Sequence, residues 1–304
     1  MRWNGEWRPL VKMTVIDAHQ HFWDLGRNYL PWLCDEPPIA FRYGSYEALK
    51  RDYLPTDYLR DTSGFRIAGS VFVETEWDRA DPVGETRWVA ALRETAELPS
   101  AMVCHVALDR PDAADTLVQQ ANFPFVRGVR HKPAEAIGSM ADPAWRRGYA
   151  RLAEHEMSFD LQTPWQRLPE AAALNREVPE TLIVLNHSGL PADRSLEGLA
   201  GWREAMQTFA AAPNVAVKIS GLGEPGLPWS LKRNRDIILA IIDMFGVERC
   251  MFASNFPVDS LVGDFHTIFS GYAEATAPMG HEVQAQLFAD NARRLYRLDD
   301  PAKG

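Results

Sequence analysis

Short apolar runs alternate along the chain with longer amphipathic segments. The eight apolar runs have the length of strands and cover residues 15–21, 67–74, 101–108, 125–131, 158–163, 181–187, 215–222 and 250–256. Their nearly continuous apolar character is typical of strands that are buried on both faces of a parallel sheet. The segments 83–98, 142–157, 195–212 and 235–245 carry helix signals, such as the Asp-Pro pair that opens 142–157.

Eight alternations of strand and helix predict an α/β fold, namely a closed (β/α)8 TIM barrel with an outer ring of helices. We expect a single domain over residues 1–304, because such a barrel needs about 250 residues. An open doubly wound sheet is the structural alternative, but no glycine-rich phosphate turn follows the first run. Residues 1–12 are interpreted as a loose N-terminal extension.

The connection between the first two runs, residues 22–54, is long and rich in aromatic residues. After the first strand of a barrel, such a segment is predicted to cover the C-terminal mouth. It can serve as a packed cover, as a substrate lid, or as both. Trp23 and Trp32 are therefore candidates to line the entrance and bind substrate.

Composition narrows the class of partner. The formal net charge of −9 disfavours binding to nucleic acid, which needs a concentrated basic surface. There is no apolar run of membrane-spanning length, and the first twelve residues lack the apolar centre of a signal peptide. The three cysteines are far apart, which favours a reducing, cytoplasmic setting. We expect a small-molecule substrate and no membrane or nucleic-acid partner, and homo-oligomerisation is compatible with the sequence.

The sharpest chemical signal is the pair His19 and His21 at the end of the first run. Residues at i and i+2 of a strand point to the same face, which at a barrel mouth is the lumen. His187 ends the sixth run and would reach the same rim. Together these imidazoles could share a metal ion or a substrate carbonyl oxygen.

Four further side chains, within or at the ends of the apolar runs, are candidates for substrate binding. Arg130 can bind a carboxylate with its guanidinium fork or form a salt bridge on the rim. Lys218 lies inside an apolar run and must pair, either with a core carboxylate or with substrate. Gln162 has a similar inward geometry, and His131 can reach the site or face the helix layer.

Five segments, 15–23, 127–131, 186–191, 217–222 and 249–257, resemble the lactonase-like branch of the amidohydrolase superfamily. That branch includes sugar-lactone hydrolases and the hydrolase of pyrone dicarboxylate. The resemblance implies that His19, His21 and His187 hold the reactive carbonyl, directly or through one divalent metal such as zinc or manganese. It also implies that Arg130 contacts acidic groups of the substrate.

One position departs from the pattern of this branch. The family's segment after the eighth strand is similar to Ser-Asp-Trp-Pro, and its aspartate activates water, whereas this chain has Asn255 there. Asparagine neither takes a proton at neutral pH nor supplies a carboxylate ligand. Another carboxylate can therefore replace it as general base, with Asp259, Glu74 and Glu76 as candidates, and the two glutamates are also candidates to bind substrate. Otherwise a histidine is the base and Asn255 orients the water, or hydrolytic activity has been lost.

The resulting hypothesis is a hydrolase that opens a small lactone by attack of water on the ring carbonyl. The substrate is expected to be anionic or polyhydroxylated. The alternatives are a metal-dependent decarboxylase of the same superfamily and a catalytically silent protein that binds a small molecule.

Overall fold

The computed structural model describes residues 13–133 and 138–299, so the interpretation of residues 1–12 concerns a segment outside the described part. The strands are β1 (Thr14–Gln20), β2 (Arg66–Val73), β3 (Ala101–His105), β4 (Val126–Arg130), β5 (Ser158–Leu161), β6 (Ile183–Leu185), β7 (Val215–Ile219) and β8 (Cys250–Phe252). Each strand pairs in parallel with the next one along the chain. The predicted (β/α)8 barrel is confirmed.

Helices separate the strands and surround them. They are α1 (Pro31–Cys34), α2 (Pro55–Asp61), α3 (Gly84–Arg93), α4 (Ala113–Ala121), α5 (Pro143–Ala150), α6 (Leu168–Glu177), α7 (Leu196–Ala210), α8 (Leu231–Phe245), α9 (Phe265–Thr276), α10 (His281–Ala285) and α11 (Asn291–Leu295). Asp142 caps the N-terminus of α5, as the Asp-Pro pair predicted. Its carboxylate accepts hydrogen bonds from the backbone N–H groups of Ala144 and Trp145 at 2.8 and 2.9 Å. Within the described ranges, the helices are too short or too polar to cross a membrane.

The barrel closes where β8 meets β1, through an isolated parallel bridge between Gln20 and Phe256. A buried polar contact supports this β1–β8 seam. The Asp17 carboxylate accepts the backbone N–H of Ser254 at 2.8 Å, the Ser254 hydroxyl at 2.5 Å and the Tyr58 hydroxyl at 2.9 Å. Burial raises the pKa of Asp17 to about 6, although these donors oppose the shift. The first and last strands are thus joined through one buried acid.

The barrel interior combines apolar packing with one buried ion pair. A compact apolar cluster contains side chains from several strands, including Val71, Val103, Val184, Ala216 and Met251. Lys218 on β7 donates to Asp160 on β5 at 2.5 Å, and the Tyr296 hydroxyl donates to the same carboxylate at 2.9 Å. Because β6 lies between β5 and β7 in the sheet, the ion pair joins two strands that are not hydrogen-bonded neighbours. Of the two partners predicted for Lys218, the structure shows the core carboxylate.

Residues 22–54 form an aromatic layer of their own. The ring of Trp32 stacks on Phe41 at 5.8 Å and meets Trp23 edge-on at 5.8 Å. The Trp32 indole N–H donates to the carbonyl oxygen of Thr75, just after β2, at 2.8 Å. The segment is therefore packed and anchored beside a strand end; that it covers the mouth stays a prediction.

Candidate active site

The structure brings the three predicted histidines together at the C-terminal ends of the strands. His19 and His21 stand at the end of β1 and beyond it, and His187 begins a short 3-10 turn after β6. The Nε2 atoms of His19 and His21 are 3.2 Å apart, and the rings of His19 and His187 are 4.6 Å apart. All three side chains are buried.

Hydrogen bonding fixes the proton on one of these rings. His21 Nδ1 lies 2.7 Å from the carbonyl oxygen of Val73, so it carries the hydrogen and Nε2 keeps a lone pair. Burial, with the Arg130 charge second, lowers the pKa of His21 to about 3. Burial likewise holds the pKa values of His19 and His187 well below the ordinary value. The cluster is therefore neutral at pH 7.

Asn255 connects this cluster to a buried carboxylate. Its amide nitrogen donates to Asp259 Oδ1 at 2.7 Å, and its amide oxygen lies 3.3 Å from His21 Nε2. Because the amide nitrogen is held by Asp259, the oxygen must face the imidazole. The Asn255 oxygen can therefore accept a hydrogen bond from His21 Nε2 only when that nitrogen gains a proton.

Asp259 is surrounded by donors and does not offer a free base. Besides Asn255, its carboxylate accepts the Tyr43 hydroxyl at 3.0 Å, Arg42 Nη2 at 3.2 Å and the backbone N–H of Gly221 at 3.1 Å. Burial raises the pKa of Asp259, and these donors oppose the rise. The arrangement favours a positioning role for Asp259 over the general-base role that the sequence offered.

Arg130 is held by protein groups. Its Nε donates to Glu74 Oε1 at 2.7 Å, its Nη1 donates to Gln162 Oε1 at 2.9 Å, and its Nη2 donates to the Glu74 carbonyl oxygen. Burial raises the pKa of Glu74, but the charges around it, Arg130 first among them, together outweigh burial and hold that pKa well below its ordinary value. Glu74 is therefore a poor base, and Glu74 and Gln162 orient Arg130. Substrate contact by these three residues stays a prediction.

Glu76 and His131 lie to one side of the histidine cluster. Glu76 pairs with Lys132, and His131 Nδ1 accepts the backbone N–H of Leu108 at 3.1 Å. The His131 ring lies 6.5 Å from Trp145 of α5. Glu76 and His131 both line a cavity of about 650 Å³. The described residues that line this cavity include none of the three clustered histidines. His131 thus lies near α5 and also lines this cavity, and its contact with substrate stays a prediction.

Two other predicted substrate contacts use their polar groups within the protein. The Trp23 side chain is buried, and its indole N–H donates to the Arg51 carbonyl oxygen at 2.7 Å. Lys218 is fully buried against Asp160. Each has a structural partner that accounts for its position without a ligand.

The residues of the cluster do not form a complete metal site. In the described ranges, no group of three or more His, Cys, Asp or Glu side chains is arranged to hold a metal ion. His19, His21 and His187 supply three imidazoles, but the oxygen adjacent to His21 belongs to the neutral amide of Asn255. Catalytic zinc sites use three protein ligands of the imidazole, thiolate or carboxylate type. Three imidazoles could meet this requirement, but in the described structure they are not arranged around one point, and Asn255 adds no carboxylate, so this arrangement does not fit a tightly bound zinc ion.

The backbone around the cluster is strained. His187 and Asn255 have φ angles of 53° and 56°, in the left-handed region that non-glycine residues rarely adopt. Gly221 has a φ of +64°, and a Cβ there would lie 2.7 Å from the Cβ of His187 and 3.1 Å from Arg42 Nη1. The absence of a side chain at Gly221 lets His187 and Arg42 approach each other.

Sequence reasoning missed several residues of the site. Ser220 Oγ lies 3.0 Å from His187 Nδ1, and a signal for it existed, since it is two residues after Lys218 in a predicted strand. Arg42 and Tyr43 lie in the non-periodic segment 22–54, where no pattern indicates which side chains reach the site.

Comparison with known proteins agrees with the geometry. The amidohydrolase family model matches residues 16–298. The chain is 36% identical over 297 residues to the uncharacterized protein y4mH of Sinorhizobium fredii, covering 94% of this chain and 99% of that protein. It is 29% identical over 294 residues to L-fucono-1,5-lactonase of Burkholderia ambifaria, covering 94% and 97% of the two chains.

A solved structure shows the same fold. The crystal structure of an amidohydrolase from Burkholderia multivorans with bound zinc has a TM-score of 0.80 and 26% identity, over 94% of this chain and 100% of that chain. The region matched by the family model includes strands β2 to β8, β1 from residue 16 onwards and every residue of the histidine cluster. This chain belongs to the amidohydrolase family, in the branch that contains the lactonases.

Proposed function

We propose that the protein hydrolyses the ring ester of a small lactone to a hydroxy acid. The observation that carries this proposal is the line from Asp259 through Asn255 to His21, which lies beside two further neutral histidines. The relatives named as L-fucono-1,5-lactonases support the reaction class. The candidate substrates are sugar lactones and carboxylated lactones.

His21 is the proposed general base. Its Nε2 lone pair takes a proton from the attacking water, and the new N–H then faces the amide oxygen of Asn255 at 3.3 Å. Asn255 cannot accept the proton itself, but its oxygen stabilises the imidazolium because Asp259 keeps the amide from turning over. This corresponds to the alternative in which a histidine is the base and Asn255 orients the reacting groups.

His187 is the proposed electrophile. If the Ser220 hydroxyl donates to His187 Nδ1, Nε2 carries the hydrogen and can donate to the substrate carbonyl oxygen. The water oxygen bonds to the carbonyl carbon, the bond from that carbon to the ring oxygen breaks, and the proton on His21 passes to the ring oxygen. A donor aimed at the developing oxyanion is worth about 3–4 kcal/mol.

No step of this mechanism passes through a metal, because the described arrangement of the three histidines does not fit one. The zinc in the B. multivorans structure belongs to that protein. A decarboxylase of this superfamily is the rival enzyme, and it is disfavoured because its chemistry depends on a firmly bound metal, to which Asn255 offers no carboxylate ligand. A silent binding protein remains the rival of a different class.

The test is acid release from a panel of sugar lactones and carboxylated lactones, with chelator and with added zinc or manganese. We expect turnover of at least one lactone in chelator, and a loss of about 100-fold or more in His187→Ala. The matched control is His281→Ala, since His281 is exposed on α10. Silence on every lactone with metal supplied, or full activity of His187→Ala, would refute the proposal.

A further inference from the structure

The guanidinium of Arg42 is only partly used by the protein. Its Nη2 donates to Asp259 Oδ1 at 3.2 Å, and its Cζ lies 4.7 Å above the ring of Tyr43. Its Nη1 is buried yet has no hydrogen-bond partner among the described residues. A buried donor without a partner costs about 1–3 kcal/mol, and more for a charged group. A ligand oxygen at this nitrogen would remove that cost.

The free nitrogen lies beside the proposed electrophile. Nη1 and the Cβ of His187 both crowd the same face of Gly221, at 3.1 and 2.7 Å from where a Cβ would stand. After burial, the Arg42 charge is the strongest influence that lowers the pKa of His187. Both groups therefore adjoin the same small space at the mouth of the barrel.

Arg130, the arginine that the sequence indicated, is placed differently. Each of its three nitrogens already donates to Glu74 or Gln162, and its side chain is 4% exposed. The Arg42 side chain is 27% exposed and keeps one nitrogen entirely free. Of these two cations, only Arg42 has an unused nitrogen within the site.

We propose that Arg42 is a catalytic residue whose Nη1 donates, together with His187, to the reacting carbonyl oxygen of the substrate. This inference rests on the proposed lactone hydrolysis and adds a charged donor for the oxyanion. The Asp259 carboxylate balances the Arg42 charge in the resting site, so the free N–H groups are held in place before substrate arrives. Their interaction strengthens as negative charge develops on the oxygen.

The test separates this role from simple support of Asp259. Arg42→Lys keeps a cation for Asp259 but removes the forked second nitrogen. Tyr43→Phe removes a different donor from the same carboxylate oxygen and leaves Nη1 in place. Arg27→Lys changes an arginine of the same segment that is 80% exposed, and serves as the neutral control.

We expect kcat on the best lactone to fall about 100-fold in Arg42→Lys, with KM little changed, and to fall much less in Tyr43→Phe. Millimolar guanidinium should restore part of the kcat of Arg42→Ala. Equal losses in Arg42→Lys and Tyr43→Phe, or a wild-type kcat in folded Arg42→Lys, would overturn the inference while lactone hydrolysis stands. If wild-type protein turns over no lactone, the proposed function fails, and this inference fails with it.

Discussion

Gly221 gives the sharpest test of how the site is assembled. In Gly221→Ala the new methyl group would stand 2.7 Å from the Cβ and 3.0 Å from the Cγ of His187, and 3.1 Å from Arg42 Nη1. Ordinary contacts are near 3.5–4.0 Å, so His187 or the backbone must move by roughly 1 Å. A displacement of that size in a catalytic group can cost about 100-fold in rate.

The substitution also affects stability, and a second glycine isolates that effect. Alanine in the left-handed region costs about 1–2 kcal/mol. The φ angles of Gly226 and Gly221 are similar, at +68° and +64°. A Cβ added at Gly226 would have nothing within 4 Å, whereas a Cβ added at Gly221 would be crowded. The free energy of unfolding should therefore fall in Gly226→Ala only by this backbone cost. In Gly221→Ala, overpacking should lower it by about 1–3 kcal/mol more.

Urea unfolding and lactone kinetics measure the two effects separately. We expect Gly221→Ala to lose about 100-fold in kcat/KM and Gly226→Ala to keep the wild-type value. If Gly221→Ala folds and retains wild-type kcat/KM, then His187 is not the group whose position limits the reaction, and the reasoning is refuted.

Three further predictions concern charge. Asn255→Asp adds a carboxylate beside His19 and His21, so the purified variant should retain zinc that the wild-type protein does not. An equal metal content of the two proteins by mass spectrometry would contradict this expectation. His21 is buried in its neutral form, with a pKa of about 3, whereas a histidine of the unfolded chain has a pKa of about 6.5. As the pH decreases, the unfolded chain therefore binds a proton at this position before the folded protein does. The free energy of unfolding should fall between about pH 6.5 and pH 3. This fall should be smaller in His21→Gln, and an unchanged slope in urea titrations would contradict the assignment. Lys218→Met leaves the buried Asp160 charge without its partner and should lower the free energy of unfolding by about 3–5 kcal/mol. The double variant Lys218→Met with Asp160→Leu should recover most of that stability. A single variant as stable as the wild type would contradict the pairing.

The strand pattern predicted the barrel and the meeting of its histidines for one physical reason. Parallel strands of a barrel end at a common rim, so a residue near a strand end is placed by the fold itself. His19 and His21 were located by period-two alternation, and His187 was located by its place at the end of the sixth apolar run. Ser220 obeys the same rule and was within reach of the same reasoning.

The remaining contacts depend on paths that no period encodes. Arg42 and Tyr43 reach Asp259, more than 200 residues away in sequence, by way of an irregular segment. Arg130 was correctly placed at the rim, but its partner Glu74 lies 56 residues earlier, and a single sequence does not reveal such a pair. Long-range polar contacts of this kind are decided by packing, after the strands are in place.

The β1–β8 seam has a consequence for synthesis on the ribosome. The Asp17 carboxylate receives its serine partner only after a further 237 residues have been translated. Until then it stays hydrated, and the strand that carries it has one unpaired edge, which nascent-chain proteolysis should detect. A premature stop codon just upstream of Cys250 would therefore damage the protein as much as one far earlier in the gene, because seven of the eight strands do not make a closed barrel.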